Sequence, residues 1–300
     1  MLIDAGNNDD GQNIVSYLKD QGISKIDILV GTHPYEDHIG GLEGVINSFD
    51  IGRIYMHRVV HTTQTSEDVL LAIQNKGLKI DEPIAGMTFD LGPAKYTILA
   101  PNKASYSNLN NYSIVIKLQY GQTSFLFVGD AEEISEREML NRNYDLSADV
   151  LKIGHHGSNN STSNKFLAAV SPKYAVISVG KGNSYGHPHK ETMNKLKNAN
   201  IIIYRTDECG TIIATSDGND ITFNCEPGSY NAGSLGPDSE NTVTPTSGAS
   251  SQNDRIEYWT SNGKSYHYTK SCSTLSRSKT ILDGPLSQCP KPDPCDRCVR

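Results

Sequence analysis

The sequence predicts an α/β protein built as a sandwich of sheets with helices on its outer faces. Three observations carry this. Strand-like apolar runs alternate with helix-like stretches as far as residue 225, two strand pairs are joined by hairpin signals, and strand after strand ends in glycine beside aspartate or histidine. The mixture of hairpins and βα units favours packed sheets over a purely parallel doubly wound sheet.

Taken in order, Met1 leads almost directly into "LIDAG", which reads as the middle of a fold, so an upstream segment is expected. In "GQNIVSYLKDQG", Ile14, Val15 and Leu18 share a helical face and Gly22 supplies the stop. "SEDVLLAIQNKG" and "HKETMNKLKNAN" read as helices in the same way. The runs "KIDILVG", "GRIYMH", "KYTILA", "SIVIKLQY", "TSFLFVG", "ADVLKIG", "YAVISVG", "NIIIYR", "TIIATS" and "DITFN" are rich in β-branched or aromatic residues and bounded by Gly, Asn or Asp, as strands are. "LQYGQTSF" and "ATSDGNDITF" place glycine near a tight turn and predict hairpins.

After residue 227 the composition shifts to Gly, Ser, Thr, Asn and Pro. Residues 228–254 hold too little apolar surface to offset the entropy of ordering and read as a flexible linker. The expected organisation is a domain over 1–227, this linker, and a small module over 255–300. The 36% hydrophobic content suits a globular core, and no run approaches the roughly 18 apolar residues of a membrane helix. Net charge is −7, which argues against a broad nucleic-acid surface. Residues 255–300 carry eight Lys/Arg and four Asp/Glu, a balance of +4, leaving −11 for residues 1–254. A polyanion held by charge would meet the tail.

The chemistry-bearing residues gather in loops that follow strands: Asp4; His33, Asp37 and His38 in "THPYEDHIGG"; Asp130 in "FLFVGDAEE"; His155 and His156 in "LKIGHHGSNNS"; His187 and His189 in "SYGHPHKE". Each alone is an ordinary turn, cap or surface residue. Together, at strand ends that one edge of a sandwich would bring together, they describe a metal site on rigid supports. No G-x-S-x-G elbow and no phosphate-cradling P-loop competes as an explanation.

These motifs resemble those of the metallo-β-lactamase superfamily. "THPYEDHIGG" is similar to its HxHxDH signature, and "VGDAEE", "HHGS" and "GHP" to its later ligand motifs. "NNYSIVIKLQYG" and "VLKIGHHGS" look most like the branch holding the hydrolase domain of the competence protein ComEC and the phosphorylcholine esterases. The resemblance covers about residues 1–225. It implies a four-layer αββα sandwich and metal-dependent hydrolysis, most simply of a phosphodiester by a metal-bound hydroxide, with one or two Zn or Mn ions. It implies that His33 and His155 serve a first metal, that Asp37, His38 and His187 serve a second, and that Asp130 bridges them. Asp4 supports the ligand loop. Lys152, His156 and His189 orient ligands or contact substrate, with Asp37, Asp130 and Lys152 counted as catalytic.

Tyr35 departs from the pattern, standing where the family has its second histidine. A neutral phenol is a poor ligand. Three outcomes follow: a weaker first metal, a single-metal enzyme, or lost catalysis. The expected function is a phosphodiesterase or nuclease working on DNA or another phosphodiester polymer, placed outside the cytoplasm or at a bacterial cell surface. The alternatives are an envelope phosphoesterase and a binding module with a degenerate site.

The tail holds His267, Cys272, Cys295 and Cys298, a Cys₃His set with one CxxC pair. It resembles small zinc-ribbon modules related to the metal-binding domain of the Ada repair protein. The expectation is one structural zinc, with a disulfide framework as the alternative and Cys289 outside the set. Cys209 and Cys225 flank the predicted last hairpin, either as a cross-strand disulfide or as two buried thiols.

Overall fold

The computed structural model describes residues 1–59, 61–234, 256–259, 265–266, 281–285 and 293–294. The chain divides into two compact units, residues 1–242 and 243–300.

The first unit contains two sheets. One is fully parallel: β1 (Leu2–Ile3), β2 (Lys25–Gly31), β3 (Asp50–Met56) and β4 (Ile80–Asp81), in that spatial order. The other is mixed. It holds β5 (Thr88–Leu91), β6 (Ala94–Ala100), β7 (Val115–Tyr120) and β8 (Thr123–Phe127) as an antiparallel meander, then β9 (Val150–Lys152), β10 (Tyr174–Ile177) and β11 (Ile202–Arg205), each parallel to its neighbour. A separate hairpin, β12 (Ala214–Ser216) with β13 (Ile221–Phe223), ends the strand series of this unit.

The helices are α1 (Gly11–Asp20), α2 (Glu36–Ile39), α3 (Leu42–Ser48), α4 (Gln64–Asn75), α5 (Glu133–Asn141), α6 (Asn164–Val170), α7 (Lys190–Asn198) and α8 (Thr206–Cys209). Three apolar clusters define the layers. Val15 of α1, Val45 and Ile46 of α3 and Val69 and Ile73 of α4 pack on Leu29 and Ile54 of the parallel sheet. Met139 of α5, Phe166 of α6 and Leu196 of α7 pack on Leu126, Leu151 and Ile203 of the mixed sheet. Between the sheets lie Ile28, Val30, Tyr55, Tyr96, Ile98, Ile114 and Ile116. Helices, sheet, sheet, helices: this is the four-layer αββα sandwich.

Each strand run read from the sequence forms a strand, and both hairpins form. Gly121, at φ 59°, makes the β7–β8 turn in a conformation that glycine adopts without steric cost. "SIVIKLQY" starts later than its composition suggests. Ile114 N–H donates to Thr32 O across the sandwich, so Ser113 and Ile114 serve the ligand loop instead of the ladder. The sequence reading passes over β4, β5 and the short helices α2, α3, α5, α6 and α8, which run at most nine residues and give little periodic signal.

Residues 228–233, assigned to the linker by composition, lie on the first unit. Gly228 N–H donates to Ile203 O, Tyr230 Oη to Ile201 O, the Arg205 guanidinium to Ser229 O and Asn231 O, and Gly233 N–H to Pro188 O. Backbone hydrogen bonds and one tyrosine hold a segment that apolar content alone would leave free. Cys209 and Cys225 form a disulfide, with Cα atoms 6.5 Å apart. Cys209 ends α8 and Cys225 follows β13, so the bridge closes the base of the hairpin rather than crossing its ladder.

In the second unit, β14 (Ile256–Trp259) pairs antiparallel with β16 (Leu282–Pro285), and β15 (Ser265–Tyr266) pairs parallel with β17 (Asp293–Pro294). His267, Cys272, Cys289, Cys295 and Cys298 lie outside the described residues, and with them the expected zinc set. Among the described residues, no helix is long and apolar enough to cross a membrane.

Candidate metal centre

The centre forms where the strands of both sheets run out. Asp4 directly follows β1 and is a non-glycine residue at φ 59°. Its side chain repays that strain: Oδ1 accepts from Thr32 N–H at 2.8 Å, and Oδ2 lies 2.8 Å from Thr32 Oγ1 and 2.7 Å from His38 Nδ1. β2 ends at Gly31, and the loop Thr32–Tyr35 turns into α2, which carries Asp37 and His38. The glycines of "HIGG" permit this turn. A Cβ on Gly40 would collide with the backbone of Asn7 and Asn8, and one on Gly41 with Ala5 O.

From the other sheet, β8 delivers Asp130, whose N–H donates to Ser113 Oγ at 3.0 Å. After β9, His155 and His156 both take left-handed backbone conformations, φ 47° and 53°. This turn brings two successive rings to one carboxylate. His155 Nε2 is 3.8 Å and His156 Nε2 3.7 Å from Asp130 Oδ2.

Ligand-type atoms of Asp37, His38, Asp130 and His156 all lie within 4.8 Å of one another. His156 Nε2 is 3.2 Å from Asp37 Oδ2, and His38 Nε2 is 3.6 Å from Asp37 Oδ2 and 3.3 Å from Asp130 Oδ1. His33 Nε2 stands 3.9 Å from Asp130 Oδ2, the oxygen that His155 and His156 also face. Yet His33 Nε2, His38 Nε2, His156 Nε2 and Asp130 Oδ1 are buried with no aligned hydrogen-bond partner among the described residues. Buried polar atoms in native structures are normally satisfied. Several converging, unsatisfied donor-set atoms fit a divalent cation, and neutral imidazoles with carboxylates suit zinc or manganese.

The far side of each ring is anchored, as metal-binding histidines require. His38 Nδ1 meets Asp4, His156 Nδ1 meets Ser178 O at 2.8 Å, and His33 Nδ1 lies 3.1 Å from Thr32 Oγ1 and 3.4 Å from Ser113 Oγ. Burial, with His38 beside it, pushes His33 down to about 4, so its ring is neutral at neutral pH. Burial also opposes charge on His38, but the Asp4 and Asp130 carboxylates outweigh it and raise His38 to about 10. For Asp130 burial favours the acid, and the surrounding His38, His156 and His33 hold it well below the usual carboxylate range.

The sequence-derived residues do not all enter one set. His156, read from sequence as an orienting or substrate-contacting residue, completes the tetrad with Asp37, His38 and Asp130. His187 lies outside that tetrad, its ring 5.6 Å from His155, 6.4 Å from His156 and 4.6 Å from His189, and burial with these neighbours lowers it to about 4. His33 and His155, like His156, face Asp130 Oδ2. Tyr35 sits edge-on to His33 at 5.2 Å, half-buried at the rim. Burial foremost, then Glu132, Asp37 and Asp130, raises its phenol. His189 Nδ1 accepts from Asn159 N–H at 3.1 Å, joining the two histidine loops. Lys152 donates to Ile153 O at 2.9 Å, and burial lowers its amine. It lines a cavity of about 650 Å³ with Asp37, His38, His156 and the apolar Ile3, Phe127 and Val176.

Sequence reasoning missed Glu132, Asn108, Asn110, Asn111 and Asn160. The Asn-rich stretches "SNLNNYS" and "GSNNS" were the available signal.

A two-sheet sandwich with helices outside and a histidine–aspartate centre at the strand ends defines the class. The profile of the Metallo-beta-lactamase superfamily matches residues 1–181, more than half the chain, and the chain belongs to that superfamily. Its members are typically metal-dependent hydrolases. In particular, the chain is 34% identical over 199 residues to ComE operon protein 3 of Bacillus subtilis (strain 168), covering 66% of this chain and 26% of that protein. It is 30% identical over 200 residues to Competence protein ComA of Neisseria gonorrhoeae, with 66% and 26% covered. It thus spans about a quarter of the length of these curated relatives. Among solved structures, the metallo-β-lactamase fold protein YhfI from Bacillus subtilis aligns at TM-score 0.41 and 13% identity over 67% of this chain and 81% of that one.

Proposed function

We propose that this chain is a metal-dependent phosphodiesterase, acting on DNA or a related phosphodiester polymer. The observation that supports this best is the convergence on Asp130 of the buried Nε2 atoms of His33, His38 and His156, which, like Asp130 Oδ1, have no partner among the described residues. Asp37, His38, Asp130 and His156 would hold one divalent ion, and His33 and His155 with Asp130 Oδ2 a second. A bound ion lowers the pKa of water toward about 7 and polarises the phosphoryl oxygen.

The protein's own groups do the rest. Asp4 and Ser178 O fix the His38 and His156 rings before substrate arrives, so orientation is prepaid. Asp130, kept ionised by three histidines, supplies an anionic centre shared by both sets. Lys152 lines the cavity beside Asp37, His38 and His156, and His189, with its ring nitrogens on Asn159 N–H and Tyr185 O, braces the histidine loops. A DNA substrate is supported by a relative named Competence protein ComA and, at 28% identity, one named Recombination protein 2 of Haemophilus influenzae. The basic segment 255–300 supports it further. The disulfide Cys209–Cys225 supports a location outside the reducing cytoplasm.

Tyr35 at a ligand position favours a second reading, a surface binding module that retains the centre for structure. One assay separates the two: hydrolysis of a generic phosphodiester, single-stranded DNA and a β-lactam, with and without chelator. Chelator-sensitive turnover of a phosphodiester is expected. Absence of metal-dependent turnover of every phosphodiester tested overturns the enzymatic reading.

A further inference from the structure

Beside the centre lies a carboxylate whose hydrogen bonds the proposed chemistry leaves unexplained. Glu132, two residues past Asp130, accepts from four asparagine amides. Asn108 Nδ2 is 3.0 Å from both of its oxygens, Asn110 Nδ2 3.0 Å from Oε1, Asn111 Nδ2 3.1 Å from Oε2, and Asn160 Nδ2 2.7 Å from Oε1. The shortest of these continues toward the centre. Asn160 Oδ1 lies 3.1 Å from His155 Nδ1, and His155 Nε2 faces Asp130 Oδ2 at 3.8 Å.

An ionised carboxylate only accepts hydrogen bonds, whereas an asparagine amide donates from one end and accepts at the other. Glu132 therefore decides which way Asn160 points. With Nδ2 committed to Glu132, Oδ1 is the end presented to His155, and an acceptor there requires the proton on Nδ1. That leaves the Nε2 lone pair directed at Asp130. Two lone-pair carriers facing each other are reconciled by a cation between them. Asn110 Nδ2, 3.5 Å from the same Nδ1, is already held by Glu132 at 3.0 Å and makes the longer contact. Glu132 itself, 3.8 Å from Nδ1, is too far to bond it directly. Two bonds hold the Glu132 and Asn160 loops together: Glu133 N–H donates to Asn160 O, and Ser161 Oγ to Ala131 O.

We propose that Glu132, through Asn160, is a positioning residue that sets the tautomer of His155 and so makes its Nε2 a ligand beside Asp130 Oδ2. This rests on the metal-dependent reading above, but its first test does not need metal. Nitrogen-15 correlation spectra of the metal-free full chain at about pH 8, above the ordinary imidazole range, report which His155 nitrogen carries the proton. The wild type is expected to be Nδ1-protonated. Glu132→Gln can present an amide N–H to Asn160, turn that side chain over and shift His155 toward the Nε2 tautomer. Asn160→Ala, at an exposed position, removes the relay and leaves Asn108, Asn110 and Asn111 on Glu132.

The second readout is Co²⁺ titration followed by its visible spectrum. Both variants are expected to lose affinity at one site by about 10–100-fold, the usual cost of removing an outer partner of a metal-binding histidine. The melting temperature of metal-free Asn160→Ala should stay at the wild-type value. An unchanged His155 tautomer together with wild-type Co²⁺ affinity in both variants overturns the relay. A wild type that shows the Nδ1 tautomer but takes up no Co²⁺ sensitive to Asp130→Asn overturns the metal reading instead, and with it the ligand role assigned to Nε2.

Discussion

Asp4 Oδ2 lies 2.7 Å from His38 Nδ1, tying the first strand of the parallel sheet to the helix that carries two candidate ligands. The contact does two jobs. It turns His38 Nε2 toward Asp130, and it offsets the left-handed backbone at Asp4. Asp4→Asn keeps shape and tolerates that backbone, but loses the full carboxylate charge. Metal affinity is expected to fall about 10–100-fold, and the metal-free melting temperature at neutral pH to fall as well, because Asp4 leads the groups that raise His38. Calorimetric Mn²⁺ titration of both proteins checks this.

Metal uptake should release a proton. With His38 raised to about 10 by Asp4 and Asp130 against burial, its ring is protonated at neutral pH in the metal-free protein, and an ion must displace that proton. Affinity should therefore fall as pH falls. The metal-free fold behaves oppositely. The raised pKa stabilises it fully below the ordinary value of 6.5, and this contribution is lost as pH rises through about 10. Binding enthalpies in two buffers of different ionisation heat give the proton count directly. Equal enthalpies in both would show that no proton leaves.

Tyr35 occupies the place where a further imidazole would complete the His33 side. Its ring is 5.2 Å from that of His33, so a histidine at 35 starts from the same rim. Tyr35→His is expected to raise the metal-to-protein ratio of the full chain above the wild-type value. An unchanged ratio would place the limiting defect elsewhere.

The Cys209–Cys225 bridge spans 16 residues, and a loop of that length is worth about 3 kcal/mol. The double variant Cys209→Ser, Cys225→Ser should lose about that much in denaturant unfolding of the first unit. A peptide digest without reductant should contain the two cysteines cross-linked. Two freely alkylated thiols would contradict the bridge.

Much of this architecture was legible in the sequence because strands and amphipathic helices have short repeat periods. "KIDILVG" alternates and then runs apolar, and β2 is accordingly buried along its last four residues between two neighbours. The ligand loops were legible because metal chemistry uses few residue types. Spatial roles were less accessible. Nothing in "HHG" announces two consecutive left-handed residues, so the sequence singles out one histidine of the pair as a ligand, whereas the turn brings both rings to Asp130. Glu132 looked like one of two glutamates in "VGDAEE". Its role emerges only when Asn108, Asn110, Asn111 and Asn160, from two separate loops, fold around it. Residues 228–233 lack large apolar content and are held by backbone hydrogen bonds, which composition does not register.

The account stands on Asp130 as the shared anchor of a divalent-metal centre. The most direct measurement compares bound Mn²⁺ per full chain in wild type and Asp130→Asn after dialysis, with folding checked by melting temperature. The wild type should hold Mn²⁺ that the folded variant does not. Equal Mn²⁺ content in the two folded proteins would contradict the centre as described.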